Sequence, residues 1–238
     1  MQFKTSSDPV EYPDALSFMD GRVQGIYDGV EEECVWFLEH PSLYTAGTSA
    51  KAADLLEARF PVFEAGRGGE YTYHGPGQRV AYVMMGLRKR QKAPDIKAYV
   101  WFLEEWVIRT LEAFGIKGER ICGRVGIWVD CGDPLSLPLR SLPLPEGRGI
   151  KGEGERRSMK KIAAIGVRVR RWVTLHGVSI NVNPDLSHFG GIVPCGISDA
   201  GVTSMKALGV ECDYAALDKV LREVLPTIPL TLTVQKCQ

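Results

Sequence analysis

The chain has 238 residues, and its 29 lysines and arginines balance 29 aspartates and glutamates, so the formal net charge at pH 7 is zero. Hydrophobic residues make up 45% of the sequence and charged residues 24%, as in an ordinary globular protein. Proteins that bind nucleic acid or an anionic membrane surface usually carry a basic excess, so this balance argues against both partners. The sequence contains no apolar run of roughly 20 residues, the length that spans a bilayer.

The N-terminal segment and the cysteines bear on where the protein works. Residues 1–14 are polar and precede no apolar segment, so we expect no secretory signal. The six cysteines include no C-x-x-C pair and the four histidines show no paired zinc spacing, which predicts no metal site. We therefore expect a cytoplasmic protein with reduced thiols.

Three segments have the apolar periodicity of helices. The first and weakest runs from about residue 15 to residue 27. The second covers residues 96–114 and ends at Gly115, and the third covers residues 217–225 and ends at Pro226. Glycine and proline are the residues that commonly end helices, so these boundaries are expected.

Five segments are rich in β-branched and aromatic residues, and several of them alternate in polarity. Most follow one another with no helix between them, which favours a mixed or antiparallel sheet with helices to one side over a doubly wound parallel sheet. The predicted class is therefore α/β of the α+β kind. The predicted strands are Cys34–Glu39, Arg79–Leu87, Arg124–Asp130, Ile162–Arg170 and Val173–Val182.

Residues 133–158 differ in composition from the rest of the chain, because they contain clustered prolines and glycines among mixed charges. Such a stretch cannot hold a strand ladder or bury an apolar face, so we expect a flexible loop. It is either a linker between domains or an insertion in a hairpin. Because β-type sequence flanks it on both sides, we favour the insertion and a single catalytic domain over residues 1–238.

A glycine-rich segment around a histidine, Gly66–Gln78, is the first candidate for chemistry. Glycines let the backbone approach a ligand closely and expose its N–H groups, and Arg67 has the charge to pair with a carboxylate or phosphate. The segment matches neither the phosphate-binding loop of nucleotide triphosphatases nor the dinucleotide fingerprint. Two interpretations stay open from the residues alone: a ligand-binding loop, or a glycine-rich loop that holds a buried His74.

A lysine opens the second candidate segment, Lys161–Gly166, which is otherwise apolar with small side chains. A buried ammonium is costly without a partner, so the residues alone favour a Lys161 that continues the exposed basic run of residues 156–160. The small residues at positions 163, 164 and 166 nevertheless indicate a surface that leaves room for a bulky group.

The third candidate is Gly190–Ile197, which contains Cys195 between a proline and a glycine. A cysteine in a tight turn, followed by backbone N–H groups, suits a nucleophile with an oxyanion hole. The remaining cysteines have no such context. We interpret those at 34, 122, 131 and 212 as small buried side chains and Cys237 as exposed.

Taken together and in this order, the three segments resemble the lipoyl(octanoyl) transferase family, in which the separation of 34 positions from Lys161 to Cys195 is also usual. The sequence departs from the family at Thr48, where a basic residue is usual, and in the insertion at residues 133–158. The segments that carry the resemblance are Glu39–Pro41, Arg67–Gln78, Gly123–Val129, Lys161–Gly166, Trp172–Asn183 and Ile192–Ser204.

The resemblance implies a biotin/lipoyl protein ligase fold and the transfer of an octanoyl group from acyl carrier protein to a lysine of a lipoyl domain. It implies that the acceptors are 2-oxoacid dehydrogenase E2 subunits and the glycine cleavage H protein, with no ATP and no metal. Cys195 and Lys161 would be catalytic. The substrate-binding residues that it implies are Arg67, Gly68, Gly69, Glu70, Tyr71, Thr72, Tyr73, His74, Ala164, Ile165, Gly166, Gly177, Val178 and Ser179.

The implied chemistry is consistent with simple physical chemistry. A free thiol is mostly protonated at neutral pH, and an ammonium within about 4–6 Å lowers the pKa of a neighbouring acid by roughly 1–3 units. Lys161 beside Cys195 would therefore favour the thiolate, and it would then act as acid and as base. His74 would orient the thiolate or the incoming amine, or would only bond the loop backbone. His176 and His188 are weaker candidates.

Three alternatives remain. A lipoate or biotin ligase would need ATP, and a thiol hydrolase would use Cys195 and His74. A non-catalytic protein that binds lipoyl domains or acyl carrier protein would leave Cys195 inert. Because acyl carrier proteins are acidic, basic residues at 88–92 and at 156, 157 and 160 form a candidate docking surface.

Overall fold

The computed structural model describes residues 1–132, 158–193 and 201–230. Within these ranges the chain forms ten strands, four α-helices and several short 3₁₀ helices. The strands are β1 (Gln2–Thr5), β2 (Cys34–Leu38), β3 (Leu43–Ala46), β4 (Val62–Glu64), β5 (Tyr71–His74), β6 (Gln78–Met84), β7 (Glu119–Ile121), β8 (Arg124–Asp130), β9 (Met159–Arg170) and β10 (Val173–Asn181). The helices are α1 (Tyr12–Asp28), α2 (Leu87–Arg90), α3 (Ile96–Glu112) and α4 (Tyr214–Val224).

Local sequence explains where the long helices begin. A proline in the first turn of α1 suits a position whose N–H has no helical partner. Asp95 caps α3 by accepting from the backbone N–H groups of Lys97 and Ala98, and Asp213 caps α4 by accepting from that of Ala216. None of these helices, within the described ranges, is long and apolar enough to cross a membrane.

Two sheets organise the described part of the chain. The larger has seven strands in the order β1-β2-β6-β10-β9-β8-β7, with β1 parallel to β2 and the other neighbours antiparallel. The smaller has three, in the order β4-β3-β5. The prediction of a mixed sheet with flanking helices is confirmed. The five predicted strands are all present, with ends displaced by up to three residues.

The helices cover both faces of the large sheet, so the prediction of helices to one side is wrong. Alternate residues of β2 and β6 pack on α1 (Trp36 and Tyr82 among them) or on α3 and α4 (Phe37 and Val83 among them). All five residues of β2 are consequently buried. An uninterrupted apolar run such as Cys34–Leu38 is typical of a strand covered on both faces.

Residues 131–158 connect two neighbouring strands. β8 and β9 are antiparallel, and Asp130 pairs with Met159 at the ends of the two strands. Such pairing is expected of the two strands of a hairpin, and the single domain with an insertion at residues 133–158 stays a prediction. The segment predicted to be flexible, residues 133–158, lies outside the described residues except for its last residue, Ser158.

Candidate active site

A cavity of about 460 Å³ opens where the glycine-rich segment meets β9 and β10. It brings together twelve of the fourteen residues that the family resemblance implies for substrate binding. Gly68 and Tyr73 do not line it. Tyr73 is buried instead against aromatic residues of the small sheet's core, such as Tyr44 and Phe189. The predicted residues that do line the cavity are Arg67, Gly69, Glu70, Tyr71, Thr72, His74, Ala164, Ile165, Gly166, Gly177, Val178 and Ser179.

Eight further residues line the cavity that were not assigned to substrate binding, although the sequence named His176 as a weaker candidate for orienting the reacting groups. Gly123, Arg124 and Val125 lie in a segment that carried the family resemblance, so that signal existed. Tyr12 begins α1, far away in the sequence, and no motif points to it. The full additional set is Tyr12, Ser49, Val80, Tyr82, Gly123, Arg124, Val125 and His176.

Arg67 is buried and holds the glycine-rich segment in shape. Its Nη1 donates to the carbonyls of Gly68 and Glu70 at 3.1 Å. Its Nη2 donates to the carbonyl and the hydroxyl of Thr45 at 3.1 and 2.7 Å. A Cβ on Gly166 would lie 2.5 Å from Cδ of Arg67, so the glycine makes room for the arginine. These contacts give Arg67 a structural task, beside the ligand pairing that the sequence suggested.

Lys161 is buried at the cavity wall, with only 6% of its surface exposed. The interpretation that it merely continues an exposed basic run is therefore wrong. Its Nζ donates to the carbonyl of Val125 at 3.0 Å and lies 4.8 Å from the centroid of the Trp128 ring. Gly126 leaves room for this side chain, because a Cβ there would lie 3.2 Å from Cε of Lys161.

A β-bulge brings Lys161 to the cavity side of β9. Ala163 pairs with Ile127 of β8, but Lys161 pairs with Trp128, so one extra residue, Ile162, is accommodated in β9. Neighbouring residues of β8 point to opposite faces, and the bulge therefore puts Lys161 and Ala163 on opposite faces as well. Lys161 consequently shares a face with Ala164.

Three buried histidines, His40, His74 and His176, form the histidine cluster beside the cavity, together with the hydroxyls of Tyr12 and Tyr82. The rings of His40 and His74 are 5.9 Å apart, and those of Tyr82 and His176 are 5.8 Å apart. Burial lowers the pKa of His40 to about 4 and the pKa values of His74 and His176 to about 3. All three imidazoles are therefore neutral at physiological pH.

Two cavity residues have buried polar atoms without a hydrogen-bond partner among the described residues: Oε2 of Glu70 and Nδ1 of His176. His176 also has a φ of 61°, a left-handed conformation in the middle of β10. Strained backbone and unsatisfied polar groups are concentrated at functional sites. His188, by contrast, lies away from the cavity and contacts Tyr73.

The predicted nucleophile, Cys195, lies outside the described residues, as does Cys237. The described chain stops at Val193, whose N–H donates to the carbonyl of Asp54, and resumes at Gly201, whose carbonyl accepts from the N–H of Lys161. Of the cysteines interpreted as buried, Cys34 is buried. The prediction is wrong for the other three, because Cys122 is exposed and Cys131 and Cys212 are partly exposed.

Known proteins with similar sequences agree on one family. Residues 11–225 match the lipoyl protein ligase A/B catalytic domain. The octanoyltransferase of Rhodospirillum rubrum is 54% identical over 222 residues, which cover 93% of this chain and 91% of that protein. The octanoyltransferase of Paramagnetospirillum magneticum is 51% identical over 229 residues, 96% of each chain. The chain belongs to the octanoyltransferase family.

Octanoyltransferases are acyltransferases, so the family assignment confirms the prediction of an acyl-transferring enzyme. The fold agrees with that of a solved structure of an archaeal lipoylation system, a bipartite lipoate protein ligase and its E2 lipoyl domain from Thermoplasma acidophilum. The TM-score is 0.62 at 14% identity, and the match covers 95% of this octanoyltransferase-family chain and 83% of the other. The prediction of a lipoyl protein ligase-like fold is confirmed.

Proposed function

We propose that this chain transfers an octanoyl group from the phosphopantetheine thiol of acyl carrier protein to the target lysine of a lipoyl domain, through a thioester on Cys195. The observation that carries the proposal is the buried ammonium of Lys161 at the wall of a cavity with small and apolar lining residues. An alkyl chain suits such a lining, since each buried methylene contributes about 0.8 kcal/mol.

The first half-reaction loads the enzyme. The thiolate of Cys195 attacks the carbonyl carbon of the donor thioester, and the new C–S bond forms as the bond to the pantetheine sulfur breaks. Lys161 donates a proton to the departing thiolate and becomes a neutral amine. One thioester replaces another, so the step is nearly isoenergetic.

The second half-reaction delivers the acyl group. The acceptor lysine enters as a neutral amine, its nitrogen attacks the thioester carbon, and the C–S bond to Cys195 breaks. The amine proton passes to Lys161, which restores the thiolate and the ammonium for the next turnover. An amide is more stable than a thioester, so the step is downhill without ATP or a metal.

The proposed partners are octanoyl-loaded acyl carrier protein and the lipoyl domains of E2 subunits and of the glycine cleavage H protein, in the cytoplasm. Arg88 and Lys89 of α2 are exposed and remain candidates for docking the acidic carrier. Arg90 is less suited, because its guanidinium pairs with Glu33. The other proposed docking residues, at 156 and 157, lie outside the described residues, and Lys160 is partly exposed.

Intact-protein mass spectrometry tests the proposal directly. Wild type, Cys195→Ser and Lys161→Met are mixed with octanoyl-acyl carrier protein without ATP. We expect one octanoyl adduct on the wild type, removable by hydroxylamine and discharged when a lipoyl domain is added. Cys195→Ser should form no thioester, and Lys161→Met should load slowly, because the methionine keeps the length of the side chain but supplies no proton.

The alternatives predict different outcomes in the same experiment. No adduct and no transfer without ATP, followed by transfer of free octanoate once ATP is added, would identify a ligase. Release of free octanoate with no acceptor present, at the rate of loading, would identify a hydrolase. If Cys195 forms no acyl adduct under any of these conditions, the remaining alternative is a non-catalytic protein that binds lipoyl domains or acyl carrier protein.

A further inference from the structure

His74 is the first member of a chain of side-chain hydrogen bonds that runs away from the cavity. Its Nδ1 lies 2.6 Å from Oε1 of Gln78. Nε2 of Gln78 donates to Oδ1 of Asn181 at 2.9 Å and to the carbonyl of Tyr73 at 3.3 Å. Nδ2 of Asn181 donates to the carbonyl of Thr203 at 2.9 Å. Each of these side chains is buried.

The direction of every bond in this chain is determined from its far end. A backbone carbonyl only accepts, so the atom of Asn181 that faces Thr203 is the amide nitrogen. The oxygen of Asn181 then faces Gln78, whose own oxygen must face His74. The carbonyl of Tyr73 demands the same orientation of Gln78. Nδ1 of His74 therefore carries the proton, and Nε2 of this neutral imidazole has a lone pair.

The same chain ties His74 to the backbone beside Lys161. The N–H of Thr203 donates to the carbonyl of Lys161, and the N–H of Lys161 donates to the carbonyl of Gly201, both at 2.9 Å. His74 and Lys161 both line the cavity. These two bonds are made by main-chain atoms, so the backbone at Lys161 stays in place when the side chain of His74 or Gln78 is changed.

Because Nε2 has a lone pair and no proton, it binds only a hydrogen-bond donor at the reacting centre. The thioester oxygen and the thiolates of Cys195 and pantetheine are hydrogen-bond acceptors, so none of them is complementary to Nε2. The incoming lysine amine has N–H donors. His74 also has no proton to give to the leaving thiolate, because its one N–H is committed to Gln78. That proton transfer is left to Lys161.

We propose that Gln78 and Asn181 are positioning residues that hold His74 as a hydrogen-bond acceptor, and that its Nε2 binds an N–H of the acceptor lysine amine and aims the amine's lone pair at the acyl carbon. This inference rests on the proposed function and deepens it. It assigns His74 to the second half-reaction, where the amine enters, and gives it no part in loading Cys195.

Two variants separate this role from a structural one. His74→Asn places an amide nitrogen where Nδ1 was, so the bond to Gln78 is retained while the acceptor at Nε2 is lost. Gln78→Leu keeps the volume and removes the acceptor that fixes the proton. His188→Asn is the matched control, because its Nδ1 also bonds a neighbour, the hydroxyl of Tyr73, but its side chain does not line the cavity.

The measurements are single-turnover rates of loading and discharge, followed by intact mass. We expect His74→Asn and Gln78→Leu to load from octanoyl-acyl carrier protein within about threefold of wild type. Discharge onto a lipoyl domain should slow about tenfold or more, the effect of losing one good hydrogen bond. His188→Asn should match wild type in both steps.

Proton-detected nitrogen-15 spectra of the histidine side chains give a readout that is independent of activity. We expect the wild type to show His74 neutral with the proton on Nδ1, and Gln78→Leu to show a mixture of tautomers. A proton on Nε2 in the wild type overturns the inference whether or not the variants fold. Equal slowing of loading and discharge, or discharge at the wild-type rate, also overturns it. Failure of the proposed function is distinct, because the wild type would then form no adduct on Cys195.

Discussion

The close fit between Gly166 of β9 and Arg67 gives the sharpest prediction about the architecture of the cavity. In Gly166→Ala the new Cβ would lie 2.5 Å from Cδ of Arg67 and 3.2 Å from its Nε. Optimal contacts between carbon atoms are about 3.5–4.0 Å, so one of the two groups must move by roughly 1 Å. Gly166 has no positive φ, so the alanine is not strained by its own backbone.

The cost of the substitution follows from what holds Arg67 in place. Among the described residues its guanidinium donates four hydrogen bonds, to Thr45, Gly68 and Glu70, and hydrogen bonds to charged groups contribute about 1.5–3 kcal/mol each. Moving the arginine breaks at least one of them, whereas moving β9 disturbs the sheet. Overpacking of a well-packed site costs about 1–3 kcal/mol, so we expect Gly166→Ala to lower the free energy of unfolding by about 2–3 kcal/mol.

Urea denaturation measures this free energy, and two comparisons isolate the clash. Gly21→Ala in α1 has no atom within 4 Å of the new Cβ and replaces a poor helix former, so it should stabilise the protein by about 0.5–1 kcal/mol. In an Arg67→Ala background, Gly166→Ala should cost less than about 0.5 kcal/mol, since the clashing group is gone. A cost that is the same in both backgrounds, or negligible in wild type, would refute the reasoning.

Three further predictions concern charge. Lys161→Met should lose most octanoyl transfer in a single-turnover assay whereas Lys97→Met should keep it, because only the first of these ammonium groups lines the cavity. Asp218→Asn should lower the free energy of unfolding by about 3–5 kcal/mol in urea, since it leaves the buried guanidinium of Arg79 without its carboxylate. The histidine cluster should destabilise the fold in acid. The unfolded histidines take up protons below pH 6.5 and the folded ones only near pH 3–4, so stability is full above pH 6.5 and falls by roughly 4 kcal/mol per pH unit around pH 5. His176→Asn removes one of the three histidines, and asparagine tolerates the positive φ at this position. Urea denaturation at a series of pH values should then show a free energy of unfolding that changes about one-third less per pH unit around pH 5. An unchanged pH dependence contradicts this account.

Long and periodic segments were predictable, and short ones were not. The apolar spacing of residues 96–114 and the run Cys34–Leu38 contain enough residues to identify a helix and a strand. The five strands that the sequence did not reveal have only three or four residues each within the described chain. Tyr71–His74 is one of these. Its strand forms because β3 pairs with it, a contact with residues 43–46 that no local pattern shows.

In the candidate site too, residues in contiguous motifs were predictable and a residue from a distant part of the sequence was not. Contiguous motifs identified most of its walls, because residues 67–74, 164–166 and 177–179 are each a single piece of chain. Tyr12 was missed for the opposite reason. It comes from the start of α1, and its hydroxyl reaches Nε2 of His176 across 164 positions of sequence.

Lys161 shows why residue types alone pointed the wrong way. Simple alternation along β9 places Lys161 on the same face as Ala163, which belongs to the core. An ammonium on that face would be buried without a hydrogen-bond partner, which costs free energy, so the residue types favoured an exposed lysine. The bulge at Ile162 changes the face, and the missing side chain of Gly126 lets Nζ reach a backbone carbonyl. The bulge depends on how β9 pairs with β8, and Gly126 is itself a residue of β8. The sequence of β9 alone therefore does not show that this lysine can be buried with a hydrogen-bond partner for its ammonium.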